Sequence, residues 1–525
     1  MAAAAAITTL ADLPSEAARL LGRRPALFFH RRVWSFRDVD AEVARLRSAL
    51  AAHIRPGDRV ALHMENRPEY LFLYYAVAGA GGIVVPLNTF LAPEETRAIL
   101  DDCGAAALLV SRESLAKIGP GLAGLPALRT ILLVGGGAPP PEGERGAGPP
   151  VIALSASHSA LLDRPAGSEA AAERTAVLIY TSGTTGAPKG VMLSHRGILA
   201  NARACIEAVG VTRKDRVLLF LPMFHSFTET VCMVTPLMAG MSIVLCAKLD
   251  RAEIRKAIVG RRPTIVPGVP AVFAAMAQVK LGPVRRWLNP VRLYISGGAP
   301  LSIDTLRTFE RVYRRPLCEG YGLSEAGPVV SLNRPGSPRR EGSVGRPLPG
   351  VTVRVVDEDG RDVSTGATGE VCVQSESVMQ GYFRRPQETA AALRGGLLHT
   401  GDIGRLDPEG CLHLVGRSKE MLIYRGMNVY PREIETVLEA HPAVKEAAVI
   451  GLPDPARGEV PYAFVVLHPG AAAADQELRR TCLEKLARYK VPRGIHVVEV
   501  LPRNAAGKVL KNDLKERAAA LHPSG

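Results

Sequence analysis

Residues 180–191 read YTSGTTGAPKGV, with hydroxyls at Thr181, Ser182, Thr184 and Thr185 interleaved with Gly183 and Gly186, and with Pro188, Lys189 and Gly190 behind them. Glycines let backbone amides face an anion, hydroxyls add donors and a lysine adds charge, so the segment is suited to cradling a polyphosphate. It is not a Walker loop, because no Gly-Lys-Ser/Thr stands at the required spacing. A flexible Ser/Thr/Gly turn is the plainer reading, but such a turn has no need of Pro188 and Lys189. Gly119, Gly121 and Gly124 formally satisfy GxGxxG. They follow a helical stretch and lead to Pro126, whereas a dinucleotide fingerprint needs a strand before and a helix after. They read as a turn.

Six more segments follow: LPMFHSF from Leu221, YISGGAPL from Tyr294, EGYGLSEAG from Glu319, HTGD from His399, GRSKEMLIYRGMNVYPREIE from Gly416 and LPRNAAGKVLKNDL from Leu501. Seven such strings, in order over nearly the whole length, resemble the adenylate-forming (ANL) superfamily and, within it, the acyl-CoA synthetase or fatty-acid–CoA ligase branch. The resemblance implies ATP and coenzyme A as substrates and Mg²⁺ as cofactor. It implies that Thr181 to Gly186 and Lys189 hold phosphates, that Tyr321 stacks on adenine, with Gly322 beside it, and that Gly297, Gly298, Ala299 and Pro300 form the opposite wall. Ser324 then meets the α-phosphate, and Glu325 coordinates the metal. Asp402 takes both ribose hydroxyls, a task that suits a carboxylate, and Arg417 contacts ribose and phosphate. Lys508 stabilises charge on the reacting phosphate, so Lys508, Glu325 and Lys189 are the expected catalytic residues. Lys419 falls at the hinge and Gly426 beside the passage of the CoA thiol.

The implied activity is ATP-dependent activation of a carboxylic acid, of medium or long chain by preference, to acyl-AMP and then acyl-CoA. An acyl-AMP ligase that loads a carrier protein and an aryl-CoA ligase are the alternatives. His225, Phe227 and Val329 are the expected acyl-pocket residues, with Met233 and Val234 as further apolar candidates. No aspartate stands between Phe224 and Thr230 to hold an α-ammonium group, which disfavours an amino-acid substrate. Glu229 stands where some relatives carry a tryptophan gate, and an acyl chain tolerates that carboxylate only if it faces water. Without the resemblance, several residues read otherwise. Tyr321, Ser324 and Glu325 suit an ordinary loop and helix cap, Lys419, Lys508 and Lys511 a solvated surface, and the apolar pocket residues plain core.

The elements that must position these groups are α/β. Apolar runs at Arg59 to His63, Gly82 to Pro86, Ala106 to Val110, Thr130 to Val134 and Thr175 to Tyr180 alternate with amphipathic stretches, which predicts layered helices and largely parallel sheet. After about Val351 the turns at 357–360 and 407–410 signal antiparallel hairpins. From about Glu420 a helix (Pro431 to Ala440), two strands (Val444 to Ile450, Ala463 to Leu467) and a helix (Gln476 to Tyr489) form a small α+β unit. The expected division is therefore a large domain over 1–416, made of α/β subdomains and a β-rich one, a hinge at 417–419 and a small mobile domain over 420–525.

The chain has 525 residues, 47% hydrophobic and 22% charged, which excludes a mini-protein and dominant disorder. Its net charge of +14 comes from dispersed basic pairs, so nucleic acid is not an expected partner. Eight scattered cysteines with no CxxC pair fit a reducing compartment and predict neither disulfides nor a zinc site. The uncharged run from Tyr70 to Phe90 is broken by Gly79, Gly81, Gly82 and Pro86, so it reads as helix, turn and strand rather than a membrane span. A cytoplasmic enzyme is expected, compatible with transient membrane contact and with a homodimer.

Overall fold

The computed structural model describes residues 7–135, 149–154, 169–181, 188–279, 282, 286–338, 340–417, 420–424, 427–454, 457–503 and 509–521. Two large sheets carry most of them. The first has nine strands, with Leu317–Gly322, Leu293–Ser296, Ile265–Gly268, Arg216–Leu219, Ser242–Leu245 and Pro25–Phe29 as its parallel centre. The second has eight, in the order Gly381–Tyr382, Lys189–Ser194, Thr175–Thr181, Ile83–Pro86, Arg59–His63, Ala107–Ser111, Thr130–Val134 and Val151–Ala153. The strands expected from apolar runs thus form, because strands covered on both faces have no polar side to alternate with.

Helix Pro68–Gly79 lies between the layers. Its sequence, PEYLFLYYAVAG, is apolar around the whole circumference, and a helix of that kind is stable only when wrapped on every side. It packs in one core with Leu62, Val84 and Val177 of the eight-stranded sheet and Leu27, Val217 and Ile243 of the nine-stranded one. The turn at Gly81 and strand Ile83–Pro86 follow it, as the sequence predicts. Gly119 to Gly121 form a short 3₁₀ turn and open no helix. Among the described residues no helix is long and apolar enough to cross a membrane.

A third sheet is antiparallel, with Thr352–Val356, Gly369–Gln374, Leu397–Leu406 and Leu412–Arg417 pairing in that order; the expected turn at 407–410 joins the last two, and the one at 357–360 folds the chain back so that Asp362 bridges Val356. The last sheet contains Leu422–Tyr424, Met427–Val429, Val444–Asp454, Gly458–Leu467 and Gly494–Val497. Helices Pro431–Glu439 and Asp475–Lys485 cover one face and helix Lys511–Leu521 the other, which divides its core in two.

Lys511 departs from the solvated-tail expectation. Its Nζ lies 2.7 Å from Glu420 Oε2 and 2.9 Å from Glu435 Oε1, and its side chain is only 23% exposed. Burial works against the ammonium charge, but Glu435 and Glu420 outweigh it and raise its pKa.

Candidate active site

Strand Leu317–Gly322 ends the parallel run and delivers Tyr321, whose hydroxyl donates to Asp402 Oδ2 at 2.5 Å. Asp402 sits on Leu397–Leu406 directly opposite Arg417 on Leu412–Arg417. This cross-strand register brings Arg417 Nε within 2.9 Å of Asp402 Oδ1. Asp402 is buried, and desolvation raises its pKa against the pull of Arg417. Its turn is braced from the neighbouring strand: Glu370 Oε1 accepts from the Gly401 amide at 3.1 Å, and the Thr400 hydroxyl donates to the Val371 carbonyl at 2.7 Å.

The same brace brings Glu370, Cys372 and His399 together, with their ligand-type atoms within 4.8 Å of one another, although their spacing carries no metal signature. Arg394 Nη2 lies 3.1 Å from His399 Nδ1, so a cation would meet a guanidinium there. We read the cluster as scaffold for the Asp402 turn.

Past Tyr321 the chain turns tightly. A Cβ on Gly322 would stand 2.1 Å from the Pro328 carbonyl oxygen, so no larger residue fits. The turn carries Ser324 and Glu325, both half-buried. Ser324 Oγ lies 2.9 Å from Ser226 Oγ, and Glu325 Oε1 accepts from the Tyr382 hydroxyl at 3.1 Å. Tyr382 belongs to the other large sheet, where Lys189 Nζ lies 5.3 Å above its ring, within cation–π range. Thr181 pairs with Lys189 in the hairpin register. Tyr382 therefore ties Lys189 of one sheet to Glu325 of the other. Sequence reasoning missed Tyr382 and Glu370, and no motif around either one marks it.

Gly297, Gly298, Ala299 and Pro300 follow strand Leu293–Ser296, and Gly298 takes φ +82°, a left-handed conformation that favours glycine. Glu319 Oε1 fixes the end of this segment by accepting from the Leu301 amide at 2.9 Å. The Phe227 ring would meet a Cβ on Gly297 at 3.5 Å, so Phe227 lies against the wall as expected. Val329 is half-buried; its carbonyl accepts from the Asn201 side-chain Nδ2 at 2.8 Å and its amide donates to Asn201 Oδ1 at 3.1 Å. His225 is exposed, and its Nδ1 accepts from the Phe227 amide at 3.3 Å. Met233 and Val234 are fully enclosed in the common core.

Glu229 does not face water. It is 2% exposed and accepts from the Tyr74 hydroxyl at 2.5 Å. Ser182, Gly183, Thr184, Thr185, Gly186, Lys419, Gly426 and Lys508 lie outside the described residues. Two groups of predicted residues are brought together, Thr181, Lys189 and Glu325 through Tyr382, and Tyr321, Asp402 and Arg417 through their own contacts, and the turn 322–328 joins the two. Such an arrangement can hold a polyanion at one end and a diol at the other.

Comparison with known proteins agrees with this geometry. A family model described as AMP-binding enzyme matches residues 15–383, and one described as AMP-binding enzyme C-terminal domain matches 433–508. The chain is 33% identical over 542 aligned positions to a long-chain-fatty-acid–CoA ligase of Bacillus subtilis (strain 168), covering 98% of this chain and 95% of that one. It is 34% identical over 516 positions to a feruloyl-CoA synthase of Amycolatopsis sp, covering 97% and 99%. The crystal structure of the anthranilate CoA ligase AuaEII in complex with anthranoyl-AMP superposes with a TM-score of 0.86 at 29% identity, covering 98% of each chain.

Proposed function

Because the chain belongs to the AMP-binding enzymes of the adenylate-forming superfamily, in the acyl-CoA synthetase branch, and is an AMP-forming acid–CoA ligase, we propose that its cleft joins an acid with an apolar body to ATP between Lys189 and Asp402. One observation carries the reading: the buried Asp402, held by Tyr321 and Arg417, stands one tight turn from Glu325 and its Tyr382–Lys189 partners.

In the first step a carboxylate oxygen attacks the α-phosphorus, the bond to the bridging oxygen breaks, and pyrophosphate leaves. Asp402 accepts the ribose hydroxyls, Tyr321 offers its ring face to adenine against Gly297 to Pro300, and Ser324 donates to the α-phosphate. Thr181, Lys189 and the segment 182–186 hold the β- and γ-phosphates. Fixed cationic and hydroxyl donors at a developing charge need no reorganisation as the reaction proceeds. Glu325 offers the hard oxygen ligands a small divalent cation takes beside phosphates, so the donor set fits Mg²⁺, which would neutralise the departing pyrophosphate.

In the second step the CoA sulfur attacks the acyl carbon, AMP leaves and the thiol proton passes to solvent. Residues 420–525 turn about the hinge at 417–419, which withdraws Lys508 and brings Gly426 beside the thiol's path. A medium- or long-chain fatty acid suits the apolar faces of Phe227 and Val329, and the B. subtilis relative's name supports it. The feruloyl and anthranilate relatives support an aryl acid. Acid-dependent pyrophosphate release, measured with and without CoA, tests the reading: release requires an acid, and the acyl group appears as a thioester only when CoA is present. Release without thioester would instead favour transfer to a carrier protein.

A further inference from the structure

Asp402 owes its position to an irregularity in the third sheet. Strand Gly369–Gln374 pairs Glu370 with Ile403 and Cys372 with His399, so Val371 alone stands opposite Thr400, Gly401 and Asp402. Two extra residues therefore bulge out of strand Leu397–Leu406. A β-bulge interrupts the ladder and leaves amides without a strand partner, and bulges concentrate beside active sites, where they re-aim a side chain. This one turns through Gly401 at φ +70°, and its last residue is Asp402. Toward the opposite neighbour Asp402 keeps a regular partner, Arg417.

Side chains hold the bulge where the ladder does not. The Gly401 amide donates to Glu370 Oε1 at 3.1 Å. The Thr400 hydroxyl donates to the Val371 carbonyl at 2.7 Å and accepts from the Asp402 amide at 3.0 Å. Glu370 is itself fixed: its Oε2 lies 2.8 Å from His399 Nδ1 and 3.5 Å from Arg394 Nη2, which leaves Oε1 for Gly401. Its side chain is only 23% exposed. Tyr321 and Arg417 contact the Asp402 carboxylate. Glu370 and Thr400 instead fix the backbone that carries it.

We infer that Glu370 is a positioning residue for ribose recognition: by holding the Gly401 amide it closes the bulge and aims the Asp402 carboxylate at both hydroxyls of the ATP ribose. The inference rests on the reading above, in which Asp402 accepts those hydroxyls, and adds a residue that acts on the nucleotide only through Gly401 and Asp402. The reason is geometric. A carboxylate takes two hydroxyl donors when both meet its lone pairs, and hydrogen bonds weaken steeply as they bend. Misplacing a binding group by about 1 Å can cost about a hundredfold. Without the Glu370 carboxylate the Gly401 amide turns to water, and glycine is the residue whose backbone relaxes most freely. Asp402 then loses its aim while Tyr321 and Arg417 are still present.

The test is acid-dependent pyrophosphate release with ATP, 2′-deoxy-ATP and 3′-deoxy-ATP. The wild type prefers ATP in kcat/KM by about tenfold or more, as expected for a lost hydrogen bond to a charged group. Glu370→Ala lowers that preference at least about threefold, and its effect falls on KM for ATP more than on kcat. Glu370→Gln, which keeps an oxygen for the Gly401 amide, restores most of the preference. Thr400→Val removes the other brace, moves the ratio the same way and serves if Glu370→Ala does not fold. A variant that is merely less stable has fewer active molecules, so kcat falls for all three nucleotides and the ratio stays where it was; that result overturns the inference. If Asp402→Ala abolishes the preference while Glu370→Ala and Thr400→Val keep the wild-type value, the inference fails and the ligase reading stands. Equal use of the three nucleotides by the wild type, or a preference that survives Asp402→Ala, overturns the ribose role of Asp402 and the inference with it.

Discussion

Replacing Glu229 with glutamine keeps the shape of the side chain and removes its titration. Burial raises the pKa of Glu229 from 4.5 to about 7, opposed by the hydrogen bond from Tyr74. Below pH 4.5 the carboxyl is protonated in both the folded and unfolded chain, and no penalty applies. Between 4.5 and about 7 the unfolded chain releases this proton while the folded protein keeps it, so stability falls as pH rises. Above about 7 the loss is complete. At about 1.4 kcal/mol per pH unit the loss comes to about 3 kcal/mol. Glu229→Gln escapes it. Urea unfolding of wild type and variant side by side, from pH 4.5 to 8, therefore gives a stability difference that moves in favour of the variant by about this amount and levels off near pH 7. A difference constant across that range refutes a desolvated, titrating Glu229.

Asp402→Ala removes the proposed ribose acceptor and leaves Arg417 without its 2.9 Å partner, so KM for ATP rises by roughly one to two orders of magnitude in steady-state assays, as expected for charge-assisted hydrogen bonds. Tyr321→Phe, which only frees Asp402 Oδ2, has a smaller effect. Lys511→Met leaves Glu420 and Glu435 without the ammonium between them, with Arg432 3.6 Å from Glu435, and lowers stability by about 2 kcal/mol in urea unfolding. Lys508→Ala abolishes adenylate formation yet leaves thioester formation from supplied acyl-AMP largely intact, and Gly426→Trp does the reverse. Equal loss in both half-reactions from either variant counts against that division of labour.

The buried strands could be read from the sequence because parallel strands covered on both faces are runs of apolar residues. Arg59–His63 and Thr130–Val134 begin and end where the pattern places them. Hairpins were legible from Asp-Pro-Glu-Gly and Asp-Glu-Asp-Gly turns, and residues such as Tyr321, Asp402 and Lys189 from their motifs. Contacts between distant segments left no such trace. Glu325 meets Tyr382 across 57 positions, the Asp402 turn leans on Glu370 about 30 positions earlier, and Lys511 pairs with Glu420 91 positions away. None of these partners sits in a pattern that local periodicity or turn chemistry can detect. Glu229 shows the same limit: the sequence leaves open whether its carboxylate faces water, and only the placement of helix Pro68–Gly79 encloses it.

The central claim is that a carboxylate oxygen becomes bonded to the α-phosphorus of ATP. Incubating the enzyme with ATP, CoA and an accepted acid labelled with ¹⁸O in both carboxyl oxygens, then weighing the released AMP by mass spectrometry, tests it directly. Each AMP formed carries one ¹⁸O, and the thioester keeps the other. AMP without label, or label in pyrophosphate or inorganic phosphate, contradicts the account.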